Sequence, residues 1–279
     1  MDYLPEIIAV ARQAGETLAT YFYSGFSQEV TIKSDQTPVT KADIAADLLI
    51  RKQLAEIDST IPILSEETET PDFSIRQQWS RYWLIDPLDG TRGFIRRSPE
   101  FSVNIALIEN HQPVLGVVYS PIEKYCYYAT KNNGAFLLDS EKQLKKINVT
   151  TYNPQQLRFL CGHYDRGVPY QTVLQAAFGN VIVKQMNSAL KFPYLAQGLS
   201  DVYVRFGPTC EWDTAAGQCV LAEAGGVVVD FQGRPLQYNA KSSLINPSFI
   251  AMGDAAQLQK YVSVFSEIRA RRDAHHHHQ

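Results

Sequence analysis

Tyr82-Trp83-Leu84-Ile85-Asp86-Pro87-Leu88-Asp89-Gly90-Thr91 is the stretch from which the rest of the chain can be read. Four apolar residues in succession make a strand buried on both faces. The strand then runs into two carboxylates three residues apart. Like charges about 4 Å apart repel by roughly 4 kcal/mol at an effective dielectric near 20, so a buried strand ending this way needs something to neutralise it. Pro87 holds Asp86 extended. The sequence therefore predicts a turn just past the strand tip, with both carboxylates and the Leu88 carbonyl converging on one point. Hard oxygen donors of this kind suit Mg²⁺ or Mn²⁺. Gly90 permits close backbone approach, and the Gly90 and Thr91 amides are expected to open a helical turn whose free N–H groups suit a phosphate. Taken alone, Asp-Pro-x-Asp-Gly-Thr is also an ordinary polar β-turn.

Other acidic residues keep this motif company. Ile61–Leu64 reads as a strand that ends in Ser65-Glu66-Glu67, and neighbouring strands deliver their ends to one sheet edge. Thr40-x-x-Asp43 has the spacing of a helix N-cap, which also suits a carboxylate held to accept from a catalytic hydroxyl. Glu211-Trp212-Asp213-Thr214 precedes an Ala-rich helix that stops at Gly225-Gly226, with Asp213 read as its N-cap. For Glu67 a solvated acidic loop is as good a reading.

Outward from these motifs the period sorts the chain. Residues 2–23 and 40–58 read as helices, and 68–80 as a polar linker. Phe101–Ile108, Val114–Tyr119, Tyr125–Thr130 and Ala135–Leu138 alternate as an antiparallel meander. Charged Asp139–Lys146 is the expected boundary between an α+β half (1–145) and an α/β half (146–270), with 271–279 a tail or tag. In the second half, strands at 157–161, 181–186, 203–206 and 227–230 alternate with helices near 169–178, 188–198 and 213–224.

Composition narrows the function classes. With 26 Lys+Arg against 29 Asp+Glu the net charge is −3, which disfavours a protein that coats nucleic acid. The four cysteines are scattered with no CxxC pair, so no zinc site or disulfide framework is legible. No apolar run is long enough to span a bilayer. Asp2 and Glu6 stand where a signal peptide would need positive and apolar residues, so a cytoplasmic location is expected. The His275–His278 run is set aside from metal arguments.

Together D-x-T-P-V-T-x-A-D at 35–43, L-S-E-E at 64–67, W-L-I-D-P-L-D-G-T at 83–91 and W-D-T-A-A-G at 212–217 resemble the lithium-sensitive magnesium phosphomonoesterases of the inositol monophosphatase superfamily. Within it the chain is most similar to bacterial 3′(2′),5′-bisphosphate nucleotidases of the CysQ type, from about residue 4 to 250. The resemblance implies a layered αβαβα sandwich. It implies Mg²⁺ ligands at Glu66, Asp86, the Leu88 carbonyl, Asp89 and Asp213, with two or three ions bound, Mn²⁺ as a substitute and Li⁺ as an inhibitor. It also implies a water-orienting Thr91–Asp43 pair, a catalytic part for Glu66, and in-line attack of water on phosphorus, with the Gly90 and Thr91 amides on the scissile phosphate.

Asn187-Ser188-Ala189-Leu190-Lys191-Phe192 and Arg205 resemble the elements that hold the nucleotide in this subgroup, which puts Ser188, Lys191, Arg205 and Asp213 in contact with substrate. Two places depart from the pattern. Arg92-Gly93 stands where bacterial nucleotidases usually carry Lys-Glu, which leaves fine specificity open. Cys161-Gly162-His163-Tyr164 only partly matches S-R-S-H, so His163 stays open between a nucleotide contact and a structural histidine.

The expected activity is hydrolysis of the 3′-phosphate of adenosine 3′,5′-bisphosphate (PAP) to AMP, with PAPS to APS as a further reaction, in sulfur assimilation. The alternatives are an inositol-1-monophosphatase or broad sugar-phosphatase, and a non-catalytic metabolite-binding homologue. The expected partner is a small nucleotide bisphosphate, with no nucleic acid and no membrane span. Oligomeric state is left open.

Overall fold

The computed structural model describes residues 3–24, 30–32, 38–162 and 171–276. The start of the 35–43 motif and His163, whose role was left open, lie outside the described residues. The chain begins with α1 (Leu4–Ser24), a short hairpin of β1 (Val30–Ile32) and β2 (Pro38–Thr40), and α2 (Lys41–Ile57). Thr40 caps α2 in a full capping box: its Oγ1 accepts from the Asp43 N–H, and Asp43 reaches back to the Thr40 N–H.

A seven-stranded sheet follows, built from β3 (Ile63–Ser65), β4 (Arg81–Asp89), β5 (Ser102–Glu109), β6 (Gln112–Ser120), β7 (Tyr125–Thr130), β8 (Ala135–Leu138) and β9 (Leu144–Ile147), in that spatial order. β3 and β4 are parallel, β5 to β8 form the expected meander, and β4 and β9 extend it antiparallel at its two ends. The expected linker 68–80 contains a short helix, α3 (Phe73–Arg76), and β9 begins inside the charged segment 139–146.

The second sheet has the order β11-β10-β12-β14-β13, from β10 (Gln156–Cys161), β11 (Asn180–Gln185), β12 (Val202–Arg205), β13 (Val227–Asp230) and β14 (Phe249–Met252). β10 is parallel to β11 and β12, whereas β14 runs antiparallel to both its neighbours. Its helices are α5 (Gln171–Phe178), α6 (Lys191–Ala196), α7 (Glu211–Glu223) and α8 (Leu258–His276). The sequence reading omitted β14 and α8. α8 continues into the segment expected to be a tail.

Three buried clusters define five layers. α1 and α2 close one face of the large sheet over Ile7, Leu18, Ile50, Trp83 and Ile105. α6 and α7 fill the space between the sheets with Phe192, Ala216, Val220 and Leu221. α5 and α8 cover the outer sheet through Leu174, Phe178, Tyr261 and Phe265. This is the expected layered αβαβα arrangement. Gly116 on β6 lets α7 come close: a Cβ there would stand 2.6 Å from the Ala216 carbonyl and 2.8 Å from the Cys219 Cβ.

The decisive stretch differs from expectation in one respect. The strand does not turn after Ile85 but continues through Pro87 to Asp89, with a register shift between Asp86 and Asp89 against β5. A bulge accommodates a proline that cannot donate to the ladder and re-aims the side chains around it. The turn comes at Gly90, whose φ of +93° an L-residue would adopt only under strain. Thr91 then opens the short helix α4 (Thr91–Ile95).

Candidate active site

The edge where β3, β4 and the start of α7 end carries a concentration of acid. Asp86, Asp89 and Asp213 each present an oxygen within 4.8 Å of the others. At that separation each ionised pair repels by about 3–4 kcal/mol at an effective dielectric near 20. Burial and the Glu66, Asp89 and Asp213 carboxylates raise the Asp86 carboxyl well above the usual carboxylate range. Burial and Asp89 push Asp213 up to about 7, although Asp213 accepts the Cys210 N–H at 2.8 Å. Asp89 is also raised by burial, with Lys191, the Ala189 N–H, Asn104 and Arg205 working in the opposite direction.

Asp213 is not the N-cap of α7, as the sequence reading had it. Cys210 is the cap, and Asp213 sits at the third helical position, reaching back to the cap amide. The shift makes little difference to its chemistry, because a carboxylate in the first turn still faces the positive end of the helix.

One oxygen of this cluster decides what could bind there. Asp86 is 1% exposed, and its buried Oδ1 accepts no hydrogen bond from the described residues. A buried carboxylate oxygen left so is costly, and a divalent cation is the partner that three converging carboxylates call for. The donors are all hard oxygens, with no histidine or thiolate among them, which fits Mg²⁺. The residues present therefore fit a magnesium site.

Beside the cluster, the Thr91 hydroxyl lies 3.1 Å from Asp43 Oδ1 and 3.3 Å from the Leu88 carbonyl. Thr40 Oγ1 donates to Asp43 Oδ2 at 3.0 Å. Burial and the nearby Glu67 charge push Asp43 up to about 7, against these hydrogen bonds.

Ten of the residues singled out in the sequence line one cavity of about 300 Å³: Glu66, Asp86, Leu88, Asp89, Gly90, Thr91, Ser188, Lys191, Arg205 and Asp213. Asp43 stands behind Thr91. Lys191 is a buried cation at the wall of this cavity. It is 5% exposed, donates to the Met186 carbonyl at 3.2 Å and lies 5.0 Å from the Tyr203 ring centroid. Ser188 holds a left-handed φ of +67°, and the next amide, Ala189 N–H, donates to Asp89 Oδ2 at 2.6 Å. The loop expected to hold the nucleotide is thus tied to a carboxylate of the acidic cluster.

Sequence reasoning assigned no role to Asn104 or to its partner Ser102. Asn104 donates to Asp89 Oδ2 at 3.3 Å, and Ser102 Oγ holds the other end of that amide at 2.9 Å. An asparagine in the apolar run Val103–Ile108 was the available signal. Arg92 and Asn187, both quoted in the motifs above, also line the cavity.

Comparison with known proteins agrees with this geometry. Residues 3–263 match the inositol monophosphatase family. The chain is 41% identical over 246 residues to a 3′(2′),5′-bisphosphate nucleotidase CysQ of Salmonella typhimurium, covering 88% of this chain and 98% of that protein. Among solved structures, CysQ from Bacteroides thetaiotaomicron, a bacterial member of the same family, superposes with a TM-score of 0.74 at 33% identity, over 89% of this chain and 97% of that one. The IMPase of Thermotoga maritima superposes with a TM-score of 0.79 at 26% identity, over 97% and 99%. Sequence, layered fold and acidic strand-tip centre agree: the chain belongs to the inositol monophosphatase family.

Proposed function

We propose that the protein is a Mg²⁺-dependent phosphomonoesterase that removes the 3′-phosphate of PAP, leaving AMP and phosphate, and that it converts PAPS to APS in the same way. The observation that carries this reading is a single cavity joining a carboxylate cluster, with its buried Asp86 oxygen, to the basic side chains of Lys191, Arg205 and Arg92. A substrate with one phosphate to cut and a second to hold matches such a division. The resemblance to CysQ nucleotidases points the same way.

In this reading Glu66, Asp86, the Leu88 carbonyl, Asp89 and Asp213 hold the cations, two or three in number. When bound, Mg²⁺ offsets the charge on the phosphate and on the entering and leaving oxygens. The protein's own part is orientation. Ionised Asp43 accepts the Thr91 hydrogen, which turns the Thr91 oxygen lone pairs toward an attacking water. The Gly90 and Thr91 amides, free at the start of α4, meet the scissile phosphate. Ser188 and Arg205 take the rest of the nucleotide, and Arg205 suits a phosphate it can grip with two N–H groups. Lys191, held against Met186 and Tyr203, contributes positive potential from beneath. Li⁺ inhibition and a cytoplasmic location belong to the same proposal; no described helix is long and apolar enough to cross a membrane.

Phosphate release from PAP, PAPS, inositol-1-phosphate and fructose-1,6-bisphosphate, with and without Mg²⁺, tests the reading. PAP is expected to give the highest kcat/KM, and only with Mg²⁺. Turnover of inositol-1-phosphate as fast as that of PAP would favour the monophosphatase alternative. No turnover of any of the four would favour a metabolite-binding protein.

A further inference from the structure

Asp47 takes no part in the cavity, yet it is buried at 3% exposure one turn along α2 from Asp43. Its Oδ1 accepts from Ser65 Oγ at 2.5 Å, and its Oδ2 accepts from Arg51 Nε at 2.8 Å. Ser65 is fully buried at the end of β3. Its oxygen in turn accepts the Glu67 N–H at 3.2 Å. On the other side of this corner the Glu66 N–H donates to the Ile85 carbonyl at 3.3 Å.

The direction of these bonds matters. A hydroxyl has one hydrogen, and a carboxylate can only accept. Asp47 therefore takes the Ser65 hydrogen and leaves the Ser65 oxygen to receive Glu67. Arg51, one turn further on, holds the second oxygen of Asp47. α2 thus carries two carboxylates a turn apart with different duties. Asp43 meets Thr91 at the start of α4, and Asp47 meets Ser65 at the end of β3. One rigid helix sets the spacing between Thr91 and the Glu66–Glu67 corner.

We propose that Asp47 is a positioning residue for the acidic centre, acting through Ser65 to hold the Glu66–Glu67 corner where a divalent cation can be bound. This rests on the reading of Glu66 as a cation ligand. Outer partners of a metal ligand are commonly worth 10- to 100-fold in cation affinity, and an effect of that order is expected here although Asp47 does not line the cavity.

The test is Mn²⁺ binding to the full chain, followed by electron paramagnetic resonance of the free ion, alongside the Mg²⁺ concentration for half-maximal activity. Asp47→Asn, which can present an amide N–H to Ser65 and so reverse the bond, is expected to raise the Mn²⁺ dissociation constant about tenfold. Ser65→Ala is expected to do the same, and the double variant no more than the worse single one. Excess Mg²⁺ should return kcat to within about threefold of the parent. Asp201→Asn serves as the structural control, because Asp201 is a buried acid paired with Arg158 on β10; it should lower Tm without moving the Mn²⁺ constant. Unchanged Mn²⁺ affinity in folded Asp47→Asn and Ser65→Ala would overturn the proposal, as would effects that simply add. If Asp47→Asn does not fold, Ser65→Ala alone decides. Glu66→Gln separates the two claims: if it leaves Mn²⁺ affinity unchanged, the reading of Glu66 fails, whatever Asp47 does.

Discussion

Replacing Asp43 by Asn should make the metal-free protein relatively more stable as pH rises. Burial and the Glu67 charge lift this carboxyl from 3.8 to about 7 in the folded chain, against its hydrogen bonds to Thr40 and Thr91. A raised carboxyl favours the folded state fully only below the unfolded value near 4. That stability is lost as pH climbs, and the loss is complete once the folded value near 7 is passed. The total is about 4 kcal/mol, from 1.36 kcal/mol for each of roughly three pH units. Roughly 2 kcal/mol of it has gone by pH 5, so about 2–3 kcal/mol remains to be lost between pH 5 and 8. For a chain of this length 1 kcal/mol moves Tm by about 2 °C, which makes the window worth about 5 °C. Asn cannot ionise and so escapes the loss. Differential scanning calorimetry in EDTA at pH 5 and pH 8 reads it directly. The variant-minus-parent Tm difference should rise by about 5 °C across the window, while Mg²⁺-dependent turnover of the variant falls by at least tenfold. A difference that stays constant, or moves the other way, would refute the assignment of a strained, buried carboxyl at Asp43.

Further expectations follow from the same geometry. Gly90→Ala must place a Cβ at φ +93°, 3.2 Å from both the Glu100 carbonyl oxygen and the Ser188 Cβ; it should cost about 1–2 kcal/mol, seen as a Tm drop of about 2–4 °C, with at least tenfold loss of kcat. Arg205→Met should raise KM for PAP by about tenfold and leave inositol-1-phosphate turnover within threefold, in steady-state assays run side by side. Li⁺ at millimolar concentration should inhibit PAP hydrolysis, and full activity at that level would count against the family mechanism. Mg²⁺ should raise Tm more at pH 8 than at pH 5, because Asp213, also held near 7, must lose its proton before it can bind a cation.

What the sequence made legible were the groups whose chemistry is local. Asp86 and Asp89 stand out because a buried apolar strand leads into them, and Thr40–Asp43 because capping has a fixed spacing. Asp213 is legible as a carboxylate at the start of α7 but not in its exact position, since a capping box puts it at the third helical residue rather than at the cap. The course of β4 was misread because Pro87 suggested a break, where a bulge carries the strand on to Asp89. The contacts that tune the site could not be read this way. Ala189 reaches Asp89 from 100 residues away, and Asp47 meets Ser65 across 18. Neither pairing leaves a period or a motif. Lys191 shows the same limit from the other side, because its burial against Tyr203 depends on a neighbouring strand. β14 and α8 were passed over although Tyr261, Phe265 and Ile268 recur along one helical face, and their burial under the outer sheet is the consequence.

The central claim is that this acidic cavity cuts one particular phosphate and needs a divalent cation to do so. Phosphorus NMR of PAP incubated with the protein and Mg²⁺ tests it most directly. The account predicts loss of the 3′-phosphate resonance, retention of the 5′-phosphate of AMP, growth of inorganic phosphate, and arrest on adding EDTA. Loss of the 5′-phosphate instead, or hydrolysis that continues unchanged in EDTA, would contradict it.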